Sequence, residues 1–206
     1  MELYPHTNYR RYVKWQRLLT EKKTEHGTKL RSWVDEAMIN NINRLIHIHT
    51  REIKNIVCHG CRNGLEVNLL QDINPGVIVY GTDIYNEAYM YDRKYFRNID
   101  FDTIPEEWLG YFDVVYSNSI DHSRDPVKTL TLWGMELKDS GICYVSFYWG
   151  RGVSKQDCFQ LDRNRPMEEI SEISKQIGMN VVYISEAYFD NHSSHIADVI
   201  FKKENS

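Results

Sequence analysis

No stretch of this chain reaches the run of about 20 apolar residues that a membrane-spanning helix needs. The opening residues, Met1-Glu2-Leu3-Tyr4-Pro5, contain no apolar core of a secretory leader, so none is expected. Positive charge is not in excess. The 25 Lys and Arg stand against 29 Asp and Glu, a formal net charge of −4, which gives no field for a phosphate backbone. Nucleic acid is therefore not an expected partner. Cysteine is limited to four residues without regular spacing, and a chain of 206 residues buries a core without staples. Reduced thiols, no disulfides and a cytoplasmic location are expected. Several signatures are also missing. There is no G-x-G-x-x-G, no Gly-Lys-Ser/Thr, no Tyr-x-x-x-Lys and no Gly-x-Ser-x-Gly. These absences argue against a P-loop nucleotidase, a short-chain reductase and a serine hydrolase of the elbow type.

What remains is an ordinary globular composition, 42% hydrophobic and 26% charged. Residues 8–24 are basic, with Tyr12, Trp15, Leu18 and Leu19 at helical spacing. After Gly27, Leu30, Trp33, Val34, Ala37, Met38, Ile42, Leu45 and Ile46 recur every three or four positions and predict a one-striped helix. His47 and His49 near its end point to different faces, so a shared metal is not expected. From residue 53 onward strand and helix patterns alternate. Strands are predicted at 53–58, 77–80, 112–117 and 142–147, with helices at 65–73, 86–95, 126–137 and 166–177. Lys138-Asp139-Ser140-Gly141 reads as a turn, and two closing strands, 181–188 and 195–202, flank a polar hairpin at 190–194. Alternation implies a mostly parallel, doubly wound α/β sheet, and two successive final strands imply an antiparallel strand at one edge. The expected division is a helical extension over residues 1–50 and one ligand-binding domain over 51–206.

The stretch Val57-Cys58-His59-Gly60-Cys61-Arg62-Asn63-Gly64-Leu65-Glu66 joins the first of these strands to its helix. It supports two readings. Cys58 and Cys61 form a C-x-x-C at a helix start, where a thiol can be activated for redox exchange. With no second pair, a zinc site is not implied. Gly60 and Gly64 instead permit close backbone approach of a nucleotide-like ligand at a helix N-terminus. Asp83, at the end of the next strand, is placed to accept ribose hydroxyls.

Residues 54–149 resemble a class I S-adenosylmethionine-dependent methyltransferase. The markers are the 56–64 segment, Gly81-Thr82-Asp83-Ile84, Ile99-Asp100-Phe101, Phe112-Asp113-Val114-Val115-Tyr116-Ser117-Asn118-Ser119, and Lys138 to Val145. The resemblance implies a Rossmann-like seven-stranded sheet of order 3-2-1-4-5-7-6, with strand 7 antiparallel. It implies S-adenosylmethionine as cofactor. The loop Cys58, His59, Gly60, Cys61, Arg62, Asn63 and Gly64 would cradle the methionine part, and Asp83 with Ile84 the ribose. Asp100 and Phe101 would border adenine, and Asn118 and Ser119 would line the pocket beside the sulfonium. Two positions depart from the family pattern: Cys58 stands where an acid is usual, and Arg62 where a glycine is usual. Glu66, one turn into the helix, could supply the missing charge, or could be an exposed helix-start acid favouring the dipole.

Transfer to an oxygen of high pKa needs a base. His122, with Asp121 as orienter, is the candidate after the 112–117 strand, although Asp121, Ser123 and Asp125 are also ordinary turn and capping residues. Tyr148, Trp149, Arg151, Arg163 and Arg165 follow the next strand and could meet an acceptor or simply pack. The expected activity is methyl transfer to a hydroxyl of a small molecule or glycan. A non-catalytic nucleotide-binding module of the same fold and a thiol oxidoreductase using Cys58 and Cys61 are the alternatives.

Overall fold

A computed structural model describes residues 1–4, 8–25, 34–85, 92–150, 152–154, 157–189 and 195–204. The strands are β1 (Glu2–Leu3), β2 (Asn55–His59), β3 (Ile78–Thr82), β4 (Phe96–Arg97), β5 (Phe112–Ser117), β6 (Leu137–Trp149), β7 (Phe159–Gln160), β8 (Met179–Ile184), β9 (Tyr188–Phe189) and β10 (His195–Lys203). The helices are α1 (Tyr9–Glu25), α2 (Glu36–His49), α3 (Leu65–Ile73), α4 (Pro126–Glu136) and α5 (Pro166–Ile177).

The main sheet runs β4-β3-β2-β5-β6-β10-β8. The first five strands pair in parallel, and β10 lies antiparallel between β6 and β8. This is the Rossmann-like order expected from the resemblance. The chain builds outward from β2 to β4, then returns to place β5 on the other side of β2. The carboxyl ends of β2 and β5 therefore diverge at a topological switch point, the crevice where open α/β sheets hold ligands.

Strand alternation divides the core between two faces. On one side Val57, Val115, Leu130, Trp133, Phe147, Ile170 and Ile173 pack the sheet against α4 and α5. On the other, Ile56, Cys58, Tyr116 and Tyr144 meet Ile39, Ile42, Leu45 and Ile46 of α2 and Val67 and Leu70 of α3. The α2 helix thus belongs to the layer covering the sheet. Its start differs from the periodicity reading: Asp35 accepts from the Met38 amide and caps a helix opening at Glu36, while Leu30 and Trp33 lie outside the described residues. His47 and His49 take separate partners, His47 bonding Asn74 at 2.9 Å and His49 lying against the Tyr183 ring.

Other boundaries follow local chemistry. Asp125 accepts from the Lys128 amide and Pro126 opens α4. Gly178, at φ +67°, ends α5. Residues 138–141, read as a turn, instead extend β6 to thirteen residues, with Ser140 at φ +63° and a register shift opposite Phe112–Val114. The expected 181–188 strand is broken after Ile184, where Ser185 bonds Asp198 through its amide and hydroxyl. Residues 86–91, most of the expected 86–95 helix, and the 190–194 hairpin lie outside the described residues; Arg93–Tyr95 form one 3-10 turn.

The end of β2 is held from the α4 side. The His59 ring stacks on Trp133 with centroids 4.7 Å apart. Its Nε2 lies 2.7 Å from Glu136 Oε2 and its Nδ1 2.8 Å from Thr82 Oγ1. Glu136 is fully buried, so loss of the imidazole strands a carboxyl in the core. His59→Leu should lower unfolding free energy by about 3 kcal/mol. Replacing Glu136 by Met in the same chain should recover much of that, as read from urea denaturation.

Candidate functional site

The loop after β2 is shaped by positive dihedrals at Gly60 (φ +72°), Arg62 (φ +43°) and Gly64 (φ +77°). Its amides are tied to the next strand, with Cys61 N–H donating to Thr82 O at 2.9 Å and Arg62 N–H to Asp83 Oδ2 at 2.7 Å. The loop after β5 comes up against it. Ser117 Oγ donates to His59 O at 3.0 Å, and Ser119 Oγ lies 3.4 Å from Gly60 O. A Cβ at Gly60 would stand 2.8 Å from Ser119 Cβ and 3.1 Å from Phe101 Cζ. Gly60, Phe101 and Ser119 therefore meet at one point, although they come from three separate loops.

Asp83 is tied to the same loop through the Arg62 amide. Its second oxygen accepts from Tyr85 N–H at 2.7 Å, and its backbone carbonyl accepts from Asn98 Nδ2 at 2.8 Å. Burial pushes its carboxyl up, while the two amide bonds and the nearby His122 and Arg62 act in the opposite direction. Ile84, next in sequence, and Asp100 are partly buried, and the Phe101 ring stands edge-on to Trp133 at 5.6 Å. Asn118 Oδ1 accepts from Ser119 Oγ at 3.0 Å, and its carbonyl accepts from Tyr148 OH at 3.3 Å.

The side chain of His59 does not join this group; strand alternation turns it toward α4. Cys58 and Cys61 are fully buried, and burial raises both thiols well above their ordinary range, with Glu66 adding to the effect. A redox nucleophile requires the reverse, so the thiol reading loses its support. Glu66 is not an exposed helix-start acid. It is 5% exposed, and burial pushes its carboxyl up to about 8, against the influence of its own amide and Arg62. The Tyr116 hydroxyl, on the strand opposite Cys58, is buried and has no hydrogen-bond partner among the described residues. Sequence reading missed Tyr116, because a tyrosine inside an apolar strand carries no outward sign of a polar task.

On the acceptor side, Ile120–His122 form a 3-10 turn after β5. Ser123 and Asp125 perform the capping, with Ser123 Oγ 2.8 Å from Thr129 Oγ1 and Asp125 starting α4. Asp121 and His122 face instead Asp157, and one ligand atom from each of the three lies within 4.8 Å of the others. Such a trio can relay a proton or hold a cation. Asp157, in an irregular loop after β6, was not foreseen. The α1 helix reaches this place: buried Tyr12 directs its hydroxyl toward His122 O at 3.4 Å and receives Gln16 Nε2 at 2.9 Å. Trp149 is core, stacked on His195. Arg165 pairs with Glu172 at 3.0 Å, Arg163 is exposed, and Arg151 lies outside the described residues.

No protein-family model and no curated protein matches the chain. Solved structures do. The Burkholderia thailandensis 1,6-didemethyltoxoflavin-N1-methyltransferase, with S-adenosylhomocysteine bound, aligns with a TM-score of 0.75 at 14% identity, covering 98% of this chain and 93% of that one. The Synechocystis PCC 6803 magnesium protoporphyrin IX methyltransferase, also with S-adenosylhomocysteine, gives 0.68 at 13% identity over 94% and 100%. The [4+2]-cyclase SpnF gives 0.71 at 11% identity over 100% and 99%. The chain has the class I S-adenosylmethionine-dependent methyltransferase fold. Within that fold Gly60 occupies the tightest crossing. Gly60→Ala should weaken the protein by more than the roughly 1 kcal/mol of left-handed strain alone. Gly178→Ala, at a similar φ with nothing within 4 Å of its Cβ, is the control for strain without contact. Urea midpoints of the two variants measure the difference.

Glu66 makes a second, pH-dependent expectation. Its folded pKa of about 8 lies above its ordinary value of 4.5, so between these the folded state binds more protons than the unfolded one. This contribution is intact below the lower value, falls as pH rises, and is lost through the upper. Glu66→Gln should flatten that decline and leave the empty protein more stable than wild type near pH 9, read from urea midpoints across pH.

Proposed function

We propose that this chain binds S-adenosylmethionine at the carboxyl ends of β2, β3 and β5 and transfers its methyl group to a hydroxyl of a small molecule or glycan. The observation that carries the reading is the convergence of Gly60, Phe101 and Ser119 at the switch point, with Asp83 bonded to the Arg62 amide of the same loop. The residues suit the cofactor on two counts. A Cβ would fill the cradle at Gly60, and the Tyr116 hydroxyl and the Glu66 side chain are both buried, the hydroxyl without a partner among the described residues. Gly60, Cys61, Arg62, Asn63 and Gly64 would hold the methionine portion. Asp83 and Ile84 would take the ribose, Asp100 and Phe101 the adenine, and Asn118 and Ser119 would border the sulfonium. The bound S-adenosylhomocysteine in the Burkholderia and Synechocystis proteins supports this choice.

When bound, S-adenosylmethionine supplies an electrophilic methyl on a positively charged sulfur. The chain's own part is then largely positioning, since in-line displacement needs the nucleophile at near-attack distance. His122 would accept the acceptor's hydroxyl proton at a ring nitrogen, with Asp121 and Asp157 stabilising the imidazolium. The two parts of residues 1–50 divide this work. The α1 helix, through Tyr12, closes the acceptor side over His122, while α2 completes the sheet's helical layer. Four free, buried thiols support a reducing, cytoplasmic setting.

A second reading, a non-catalytic nucleotide-binding module of the same fold, is kept by the missing acid at Cys58. Calorimetric titration of the full chain with S-adenosylhomocysteine tests the proposal. Binding is expected, with Asp83→Ala at least about tenfold weaker because a hydrogen bond to a charged group is lost. His122→Asn should leave that affinity within about twofold, since His122 serves the acceptor. A folded wild-type chain that binds neither S-adenosylhomocysteine nor S-adenosylmethionine would sink the enzyme reading.

A further inference from the structure

We infer that the anchor for the cofactor's α-amino group has moved from the end of β2 to the first turn of α3, where Glu66 and the Tyr116 hydroxyl form it together. This rests on the S-adenosylmethionine reading. In the parallel register Cys58 lies between Gly81 of β3 and Tyr116 of β5, so the phenol and the thiol project on the same face. Both are essentially inaccessible, at 1% and 0% exposure. Glu66 is buried in the first turn of α3, whose Val67 and Leu70 pack on this face, and its charge pushes Tyr116 and both thiols up, in addition to their burial.

Among the described residues, no other side chain or backbone group donates a hydrogen bond to Glu66; its carboxyl is satisfied only by its own amide. The groups that act on it electrostatically, or it on them, are Arg62 and Asp83 from the loops, Cys58 from β2, Cys61 from the turn after it, and Tyr116 from β5. Only Arg62 is cationic, and it makes no ion pair with Glu66. A buried carboxyl without outside donors and a buried hydroxyl without a partner, in the layer between α3 and the sheet, are polar groups that lack a third member. An ammonium group supplies that member, with three donors and a compensating charge. An acid at position 58 on the same face would set two carboxylates against each other. A small, neutral Cys58 and a buried Glu66 are therefore alternative solutions to one requirement. On binding the ammonium, Glu66 releases its proton to the solvent and remains as the carboxylate.

The test is calorimetric titration of the full chain with S-adenosylhomocysteine at pH 7, in buffers of different ionisation enthalpy. The wild type should release close to one proton per ligand and Glu66→Gln close to none. Glu66→Gln should bind S-adenosylhomocysteine about tenfold or more weakly and Tyr116→Phe a few-fold more weakly. Both should bind 5′-methylthioadenosine, which lacks the amino-acid end, as the wild type does. The double variant Cys58→Asp/Glu66→Gln should regain most of the affinity without proton release. Urea midpoints confirm that each variant is folded. Unchanged affinity and proton release in Glu66→Gln would overturn the anchor while leaving cofactor binding intact. A double variant as weak as Glu66→Gln would overturn the relocation, and a folded wild type that binds no S-adenosylhomocysteine would overturn both readings.

Discussion

Three loops cross at the carboxyl edge of the sheet at a separation that admits no Cβ, and the site depends on that crossing. Gly60 occupies the point of contact, where both Ser119 and Phe101 approach it. Because β5 returns to the far side of β2, the loops that follow these two strands leave from adjacent positions and must diverge around whatever lies between them. Hydrogen bonds from Ser117 Oγ to His59 O and from Arg62 N–H to Asp83 fix the loops relative to one another. The crevice is thus a consequence of strand order, and its tightness is a consequence of one residue without a side chain.

Strand alternation then decides which residues take part. Successive positions in β2 go to opposite faces, Val57 and His59 toward α4 and α5, Ile56 and Cys58 toward α2 and α3. His59 sits within a ligand-loop motif yet serves as a core residue, bridging Thr82 and buried Glu136. Cys58 and Cys61 likewise spell a redox motif and behave as small buried groups. Short motifs record spacing along the chain; the two-residue period of a strand determines direction.

Much of the architecture was legible for this reason. Continuous apolar runs at 112–117 and helix signals at Asp125-Pro126 and Gly178 are local, and each produced the expected element. The parts that escaped are those set by long-range placement. Asp157 reaches Asp121 and His122 from an irregular loop, and Tyr12 reaches His122 across 110 positions of sequence. The broken β8–β9 edge depends on Ser185 and Asp198, which no local pattern links. The 138–141 segment looked like a turn because its residues are turn formers, and pairing with β5 drew it into the sheet instead.

Glu66 shows how the two kinds of information combine. A glutamate in the first turn of a helix is favourable when exposed, since it meets the positive end of the dipole at no desolvation cost. Here α3, opening after Gly64, packs against β3 and α2, and the carboxyl is carried inside with only its own amide as a hydrogen-bond partner among the described residues. Burial without donors opposes folding, and nothing in the packing requires a carboxyl there; an apolar side chain would serve the same layer. The Tyr116 hydroxyl repeats the pattern, since a phenylalanine would fill the strand position without stranding a donor. Two independent positions thus carry polar atoms that weaken the empty protein and lie on the same face as Cys58. A ligand bearing a buried positive group is the single addition that satisfies both.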